Sequence, residues 1–155
     1  MSYSVPDLRA YLRGEWSVER ALLDRASGAR GSFAGTVAFT EADDGAALLQ
    51  HEQGTVRWGG HEGPASREYV WRPGPSAQSM DVHFPDGRFF HTVRLSGSGT
   101  SDRDGWRAEH WCDPDDYRVT YTAVGPHELR YEWDVTGPAK DLLLTTVLRR
   151  RPRSP

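Results

Sequence analysis

Glu128-Leu129-Arg130-Tyr131-Glu132-Trp133-Asp134-Val135 decides the fold class. Apolar and charged residues alternate without a break. An extended chain therefore carries Leu129, Tyr131, Trp133 and Val135 on one side and Glu128, Arg130, Glu132 and Asp134 on the other. A helix would mix the two sets. The stretch is a β-strand with one dry face and one wet face.

The same period of two recurs outward from it, at 16–22, 32–40, 46–53, 68–72, 79–84, 88–95, 106–113, 117–123 and 142–149. Clusters of Gly, Pro, Asp and Ser separate the runs. Most connections are short, so sequence neighbours pair antiparallel, and about ten twisted strands with one wet face close on themselves to remove their edges. Only the start of the chain has helical spacing, with Pro6 at a helix start, Leu8, Tyr11 and Leu12 on one face and Gly14 as the stop. The expected architecture is all-β: a closed antiparallel up-and-down barrel of about ten strands behind a short helix at 6–13. One domain spans 1–155, with loops at 59–66 and 96–104. A flexible basic tail occupies 150–155, and the charges of Arg149, Arg150, Arg151 and Arg153 read as a solvated end.

Composition narrows the partners. The 155 residues carry a net charge of -3 with both signs spread along the chain, so neither nucleic acid nor an anionic membrane surface is an expected partner. No apolar run approaches the roughly 20 residues of a membrane helix. Cys112 is the single cysteine, which excludes an internal disulfide, and no signal-type segment follows Met1; a cytoplasmic location is expected. Lys140 is the single lysine among many arginines, a bias of GC-rich bacterial genomes. The residues do not disclose an oligomeric state.

Turns fix register, because a one-residue slip would carry an apolar row into water. The Phe84-Pro85-Asp86-Gly87-Arg88-Phe89 turn sets Phe84 against Phe89, Val82 against His91 and Met80 against Val93. Across 96–104, Leu95 meets Trp106, and His91 and His110 become neighbours inside. The Asp113-Pro114-Asp115-Asp116 turn then sets Cys112 against Tyr117 and Ala108 against Tyr121. The next connection sets Tyr121 against Tyr131 and Val119 against Trp133. The inward surface is thus lined by Phe89, Trp106, Tyr121, Tyr131 and Trp133 and interrupted by His91, His110, Cys112 and Tyr117.

An apolar interior with few polar groups suits a hydrophobic or aromatic small molecule. The same rings also suit a filled core whose polar tips find partners within it. His91, His110 and Tyr117 are the candidate acid–base groups for isomerisation or cyclisation of a bound substrate. His91, His110 and Cys112 would be the ligands of a metal, but the paired cysteine spacing of structural zinc sites is missing and no metal or other cofactor is expected. The same thiol and rings, with Asp115 or Asp116, admit a Cys–His nucleophile, and a barrel histidine can ligate haem. No glycine-rich loop opens a helix, so nucleotide binding is not expected. Lys140 beside Asp141 reads as a solvated ion pair.

Gly14-Glu15-Trp16 resembles the GxW signature that opens the lipocalins, whose tryptophan packs across the closed end of the barrel. Asp116-Tyr117-Arg118-Val119-Thr120-Tyr121 resembles their Asp-Tyr-x-x-Tyr element with one more residue between the tyrosines. A likeness over nearly the whole chain is carried by Gly14-Glu15-Trp16 with Arg20, by Asp86-Gly87-Arg88-Phe89-Phe90-His91, by His110-Trp111-Cys112 with Asp116 and Tyr117, and by Trp133 to Asp141. It resembles a family of small bacterial and fungal proteins catalogued as a domain of unknown function, of lipocalin-like or calycin-like character. The resemblance implies a barrel and adds Arg20 to the expected ligand-binding residues Phe89, Trp106, Cys112, Tyr121, Tyr131 and Trp133. The resulting expectation is a small-molecule-binding barrel acting on an intermediate of specialised metabolism, with a non-redox cyclase or isomerase as the alternative.

Overall fold

The computed structural model describes residues 3–95 and 106–152. Among the described residues one helix, α1 (Leu8–Leu12), precedes ten strands: β1 (Gly14–Asp24), β2 (Arg30–Ala42), β3 (Ala47–Trp58), β4 (His61–Pro73), β5 (Ser79–His83), β6 (Phe89–Arg94), β7 (Trp106–Cys112), β8 (Asp115–Gly125), β9 (Glu128–Thr136) and β10 (Asp141–Arg150). All ten predicted strands are present. The order across the sheet is β6-β5-β4-β3-β2-β1-β10-β9-β8-β7, every pair antiparallel.

The up-and-down barrel is nearly closed. Strands β6 and β7 are the two ends of this order and pack against each other, but no ladder joins them among the described residues. Trp106 bridges the seam by donating from Nε1 to the carbonyl oxygen of Thr92 at 2.7 Å. The ladder expected from Leu95–Trp106 to His91–His110 is replaced by this side-chain contact, and the 96–104 loop that was to set it lies outside the described residues.

Helix α1 closes the lower end. Its first turn is capped by Asp7, whose carboxylate accepts from the amide of Ala10 at 3.1 Å, which starts the helix later than Pro6. Leu8, Leu12 and Trp16 are wholly buried there, and the Trp16 indole donates to the Leu12 carbonyl oxygen at 2.8 Å. Arg150 belongs to β10 rather than to a solvated tail. Its guanidinium lies 4.1 Å from the Trp16 ring centroid and donates to the Tyr11 carbonyl oxygen at 2.6 Å, so its stem and charge cover the end of the barrel. Arg153 lies outside the described residues.

Two corrections concern turns. The expected loop at 59–66 is a two-residue hairpin at Gly59-Gly60, with φ of +55° and +81°, the conformation a type I′ turn demands; β4 therefore begins at His61. The turn after β7 is also shorter than expected. It pairs Cys112 with Asp115, His110 with Tyr117 and Trp106 with Tyr121. A shift of two keeps every side chain on its expected face, whereas Tyr121–Tyr131 and Val119–Trp133 pair as predicted.

Bending the long strands β2 and β3 into a barrel brings Gly35 and Gly54 opposite each other. A Cβ on Gly35 would strike the carbonyl oxygen of Gln53, and one on Gly54 that of Ala34, so the sheet folds sharply only because both positions lack a side chain. Gly63 meets nothing within 4 Å. Gly35→Ala is expected to lower stability by about 1–3 kcal/mol and Gly63→Ala to leave it nearly unchanged, as read from urea unfolding midpoints.

Candidate functional site

Strand alternation sorts the barrel interior into three levels. Nearest α1 it is apolar and filled by Val18, Val37, Phe39, Leu48, Leu129 and Leu148, all at most 2% exposed. Farthest from α1, inward-facing Leu22, Val56, Ala65, Phe84, Tyr117 and Leu142 are only partly buried. This end is an apolar mouth. Three of the stretches singled out in the sequence, 84–91, 110–117 and 133–141, meet at its rim through the β5–β6, β7–β8 and β9–β10 hairpins.

Between these levels runs a polar layer. Arg20 on β1 donates from Nη1 and Nη2 to the two carboxylate oxygens of Glu52 on β3, at 2.7 and 2.8 Å. Its Nε donates to Thr146 Oγ1 at 2.7 Å and its Nη2 to the Tyr131 hydroxyl at 3.1 Å. Arg67 on β4 adds a third donor to Glu52 at 3.1 Å. Burial opposes the charge of Arg20, but Tyr131 and Glu52 outweigh it and hold the guanidinium charged. Burial likewise opposes ionisation of Glu52, yet the hydrogen bonds from Arg20 and the charge of Arg67 keep its carboxyl below the ordinary range. The bidentate pair is the arrangement in which a buried ion pair is best satisfied.

His91 sits beside this layer and is 3% exposed. Its Nε2 lies 3.3 Å from the Tyr121 hydroxyl. Its Nδ1 has no hydrogen-bond partner among the described residues. Burial, with a smaller contribution from the nearby His110, lowers its pKa to about 3, so the ring is neutral at ordinary pH. Burial raises the Tyr121 hydroxyl well above its usual value.

An aromatic column rises from His91 toward the mouth. Phe90 stacks on Trp133 (centroids 5.0 Å, planes 6° apart) and on Phe84 (4.5 Å, 22°). The His91 and His110 rings meet Phe90 edge-on at 4.5 and 5.0 Å. The two histidines thus come together across the Phe90 ring. The rings leave little room beside His91: the cavity lined by Gln50, Arg67, Tyr69, His91, Tyr121 and Tyr131 is about 10 Å³, the space of one water at most.

Of the sequence candidates, Arg20, His91, Tyr121, Tyr131 and Trp133 are buried inside, and His110, Tyr117 and Trp106 are half-buried on the inner face. Phe89 and Cys112 are corrected. A bulge between Val82 and His83 pairs His83 with Phe89 and leaves Phe90 as the extra residue, which turns Phe90 inward and Phe89 out to 53% exposure. Cys112 lies at the rim and is exposed, apart from the buried histidine. Lys140 pairs with Asp115 at 3.2 Å and donates to the Tyr117 hydroxyl, since Asp141 is held by Arg25. Glu52, Arg67 and Phe90 escaped the sequence reading. The inward row Leu48-Gln50-Glu52 was the available signal for Glu52, and treating 59–66 as a loop hid the strand that carries Arg67.

Several solved structures share the fold. An S-type phycobiliprotein lyase, CPES, from Guillardia theta is 10% identical, with a TM-score of 0.67 over 99% of this chain and 95% of its own. A protein of unknown function from the DUF3598 family of Nostoc punctiforme is 12% identical, with a TM-score of 0.61; 95% of this chain spans 51% of it. A de novo fluorescence-activating β-barrel is 11% identical, with a TM-score of 0.50 over 95% of this chain and all of its own. No curated protein matches the sequence. Residues 12–150 match a family described as a family of unknown function (DUF6314).

Two outcomes follow from the charged groups. An unfolded chain protonates His91 near pH 6.5 while the folded one resists until about 3, so between these values the unfolded state binds more protons and stability is lost as the pH is lowered, by at most about 1.4 kcal/mol per unit from this residue. The fall is expected to be shallower in His91→Leu, measured by urea unfolding at pH 7, 5 and 4. Glu52→Leu, which strands the Arg20 charge, is expected to cost about 3–5 kcal/mol, and the double variant Arg20→Met/Glu52→Leu clearly less.

Proposed function

The chain belongs to the DUF6314 family of unknown function, and we propose that it is a small-molecule-binding barrel whose hydrophobic or aromatic ligand enters at the mouth and reaches His91. One observation carries this reading. The Nδ1 of His91 is buried without a partner among the described residues, although nearly every buried polar atom in folded proteins has one. A group left unsatisfied costs about 1–3 kcal/mol, and a ligand atom at Nδ1 recovers it.

The surroundings supply the rest of a binding site. Partly exposed apolar side chains line the mouth, aromatic faces stand above His91, and the seam between β6 and β7 has no backbone ladder among the described residues. A mostly apolar site with a few placed polar groups is the usual form of small-ligand pockets. The fold shared with a phycobiliprotein lyase and with a fluorescence-activating design is compatible with this use of a barrel.

Binding is favoured over the acid–base alternative by the state of His91. A general base works best with a pKa near the operating pH, and the burial that takes His91 to about 3 leaves it a hydrogen-bonding anchor with little basicity. His110 and Tyr117, at the rim, orient what enters.

Native mass spectrometry of the protein purified from its source tests the reading, together with titration of 1-anilinonaphthalene-8-sulfonate against the folded chain. The expected result is a retained small molecule that His91→Leu holds roughly fivefold less well, and saturable one-to-one binding of the dye. A bare mass together with no saturable dye binding by a folded chain would refute it.

A further inference from the structure

The aromatic column contains a ring that the barrel does not need for closure. Phe90 lies between Phe84 and Trp133 with its plane within 22° and 6° of theirs. Three near-parallel rings form a slot with its middle place taken, and that place has the shape of a flat conjugated molecule. The residue filling it is the extra one at the β5–β6 bulge, so β6 can turn Phe90 outward without breaking the pairing of Val82 with His91 or Met80 with Val93. It also sits at the end of the strand order, beside the seam that no ladder closes among the described residues. The buried, partnerless Nδ1 of His91 belongs to the neighbouring residue, whose ring is 4.5 Å away from Phe90.

Resting on the ligand-binding reading above, we propose that the Phe84–Trp133 slot is the subsite for a planar aromatic ring, and that Phe90 is an internal stand-in for that ring which the ligand displaces through the β6–β7 seam. The displaced stack is replaced by an equivalent one, so exchange leaves the column intact. The ligand adds a polar atom at His91 Nδ1, which Phe90 cannot offer. Its charge is neutral or negative, because the floor of the site carries the guanidiniums of Arg20 and Arg67 against the single carboxylate of Glu52. The close packing of Phe90 between Phe84 and Trp133 is then a plug in a site rather than part of a solid core.

The test compares dye affinities for folded variants, with 1-anilinonaphthalene-8-sulfonate as the flat anionic probe and near-ultraviolet circular dichroism as the check on folding. Phe90→Ala removes the stand-in and is expected to bind at least tenfold more tightly than the unmodified chain, with quenching of Trp133 emission that Trp133→Phe abolishes. Trp111→Ala, which alters an exposed ring on the outer face, is expected to leave the affinity unchanged. If Phe90→Ala does not fold, Phe90→Leu retains core volume without completing the stack, and tighter binding is again expected. Equal or weaker binding by a folded Phe90 variant, or no dye binding by the unmodified chain and every folded variant, overturns the stand-in while leaving the ligand-binding reading in place; no dye binding by any of them together with a bare native mass overturns both.

Discussion

The bidentate pair between Arg20 and Glu52 is the constraint on which the interior depends. Each charge costs several kcal/mol to remove from water, and the cost is offset only by a complete set of partners. Those partners come from β1, β3, β4, β9 and β10, so the layer is satisfied only when five strands are in register together. A one-residue slip in β1 or β3 would send one charge to solvent and strand the other. The layer therefore separates an over-determined apolar floor, sealed by α1 and Trp16, from a mouth that is free to be imperfect.

The imperfections above the layer occur together. The bulge and the orphaned Nδ1 lie within the short stretch from Val82 to His91, and the seam with no ladder among the described residues starts there and runs on along β6. Bulges re-aim side chains, and here the bulge places two consecutive residues, Phe90 and His91, inside the barrel. Regular alternation would have buried one and exposed the other. Local departures of this kind persist only where the surrounding structure holds them, and the ion-pair layer beneath provides that support.

The sequence disclosed the barrel because its evidence was repeated ten times in alternating segments, and the Tyr121–Tyr131 and Val119–Trp133 pairs because a short connection fixed them. It disclosed His91 as inward because a tight turn stood next to it. Phe89 was placed inside for the same reason and wrongly, since a bulge adds a residue without changing the alternation visible in Phe89-Phe90-His91. Cys112 was misplaced because alternation stops counting at a strand end, where the rim is open to solvent. Arg20 entered only through a family likeness. Alternation put it on the inner row with Trp16 and Val18, but a charge there is intelligible only once Glu52 is known to face it from two strands away. Such a pairing is a property of closure, which no local pattern contains.

A cavity of only about 10 Å³ beside His91 invites the conclusion that nothing binds there, yet the composition of the packing around it argues the other way. The floor is packed by aliphatic and aromatic side chains whose polar atoms are all accounted for, such as the Trp16 indole on Leu12 and the Trp71 indole on Gln50. A core selected only for stability would treat the upper level alike and place an apolar side chain where His91 stands, because a neutral imidazole with one unmet nitrogen is less favourable there than a hydrocarbon of its size. On the proposed reading the histidine is explained by the ligand it would meet: packing around it leaves an unmet hydrogen bond at Nδ1 beside the Phe90 ring, and a flat ligand in the place of that ring would satisfy the one while replacing the other.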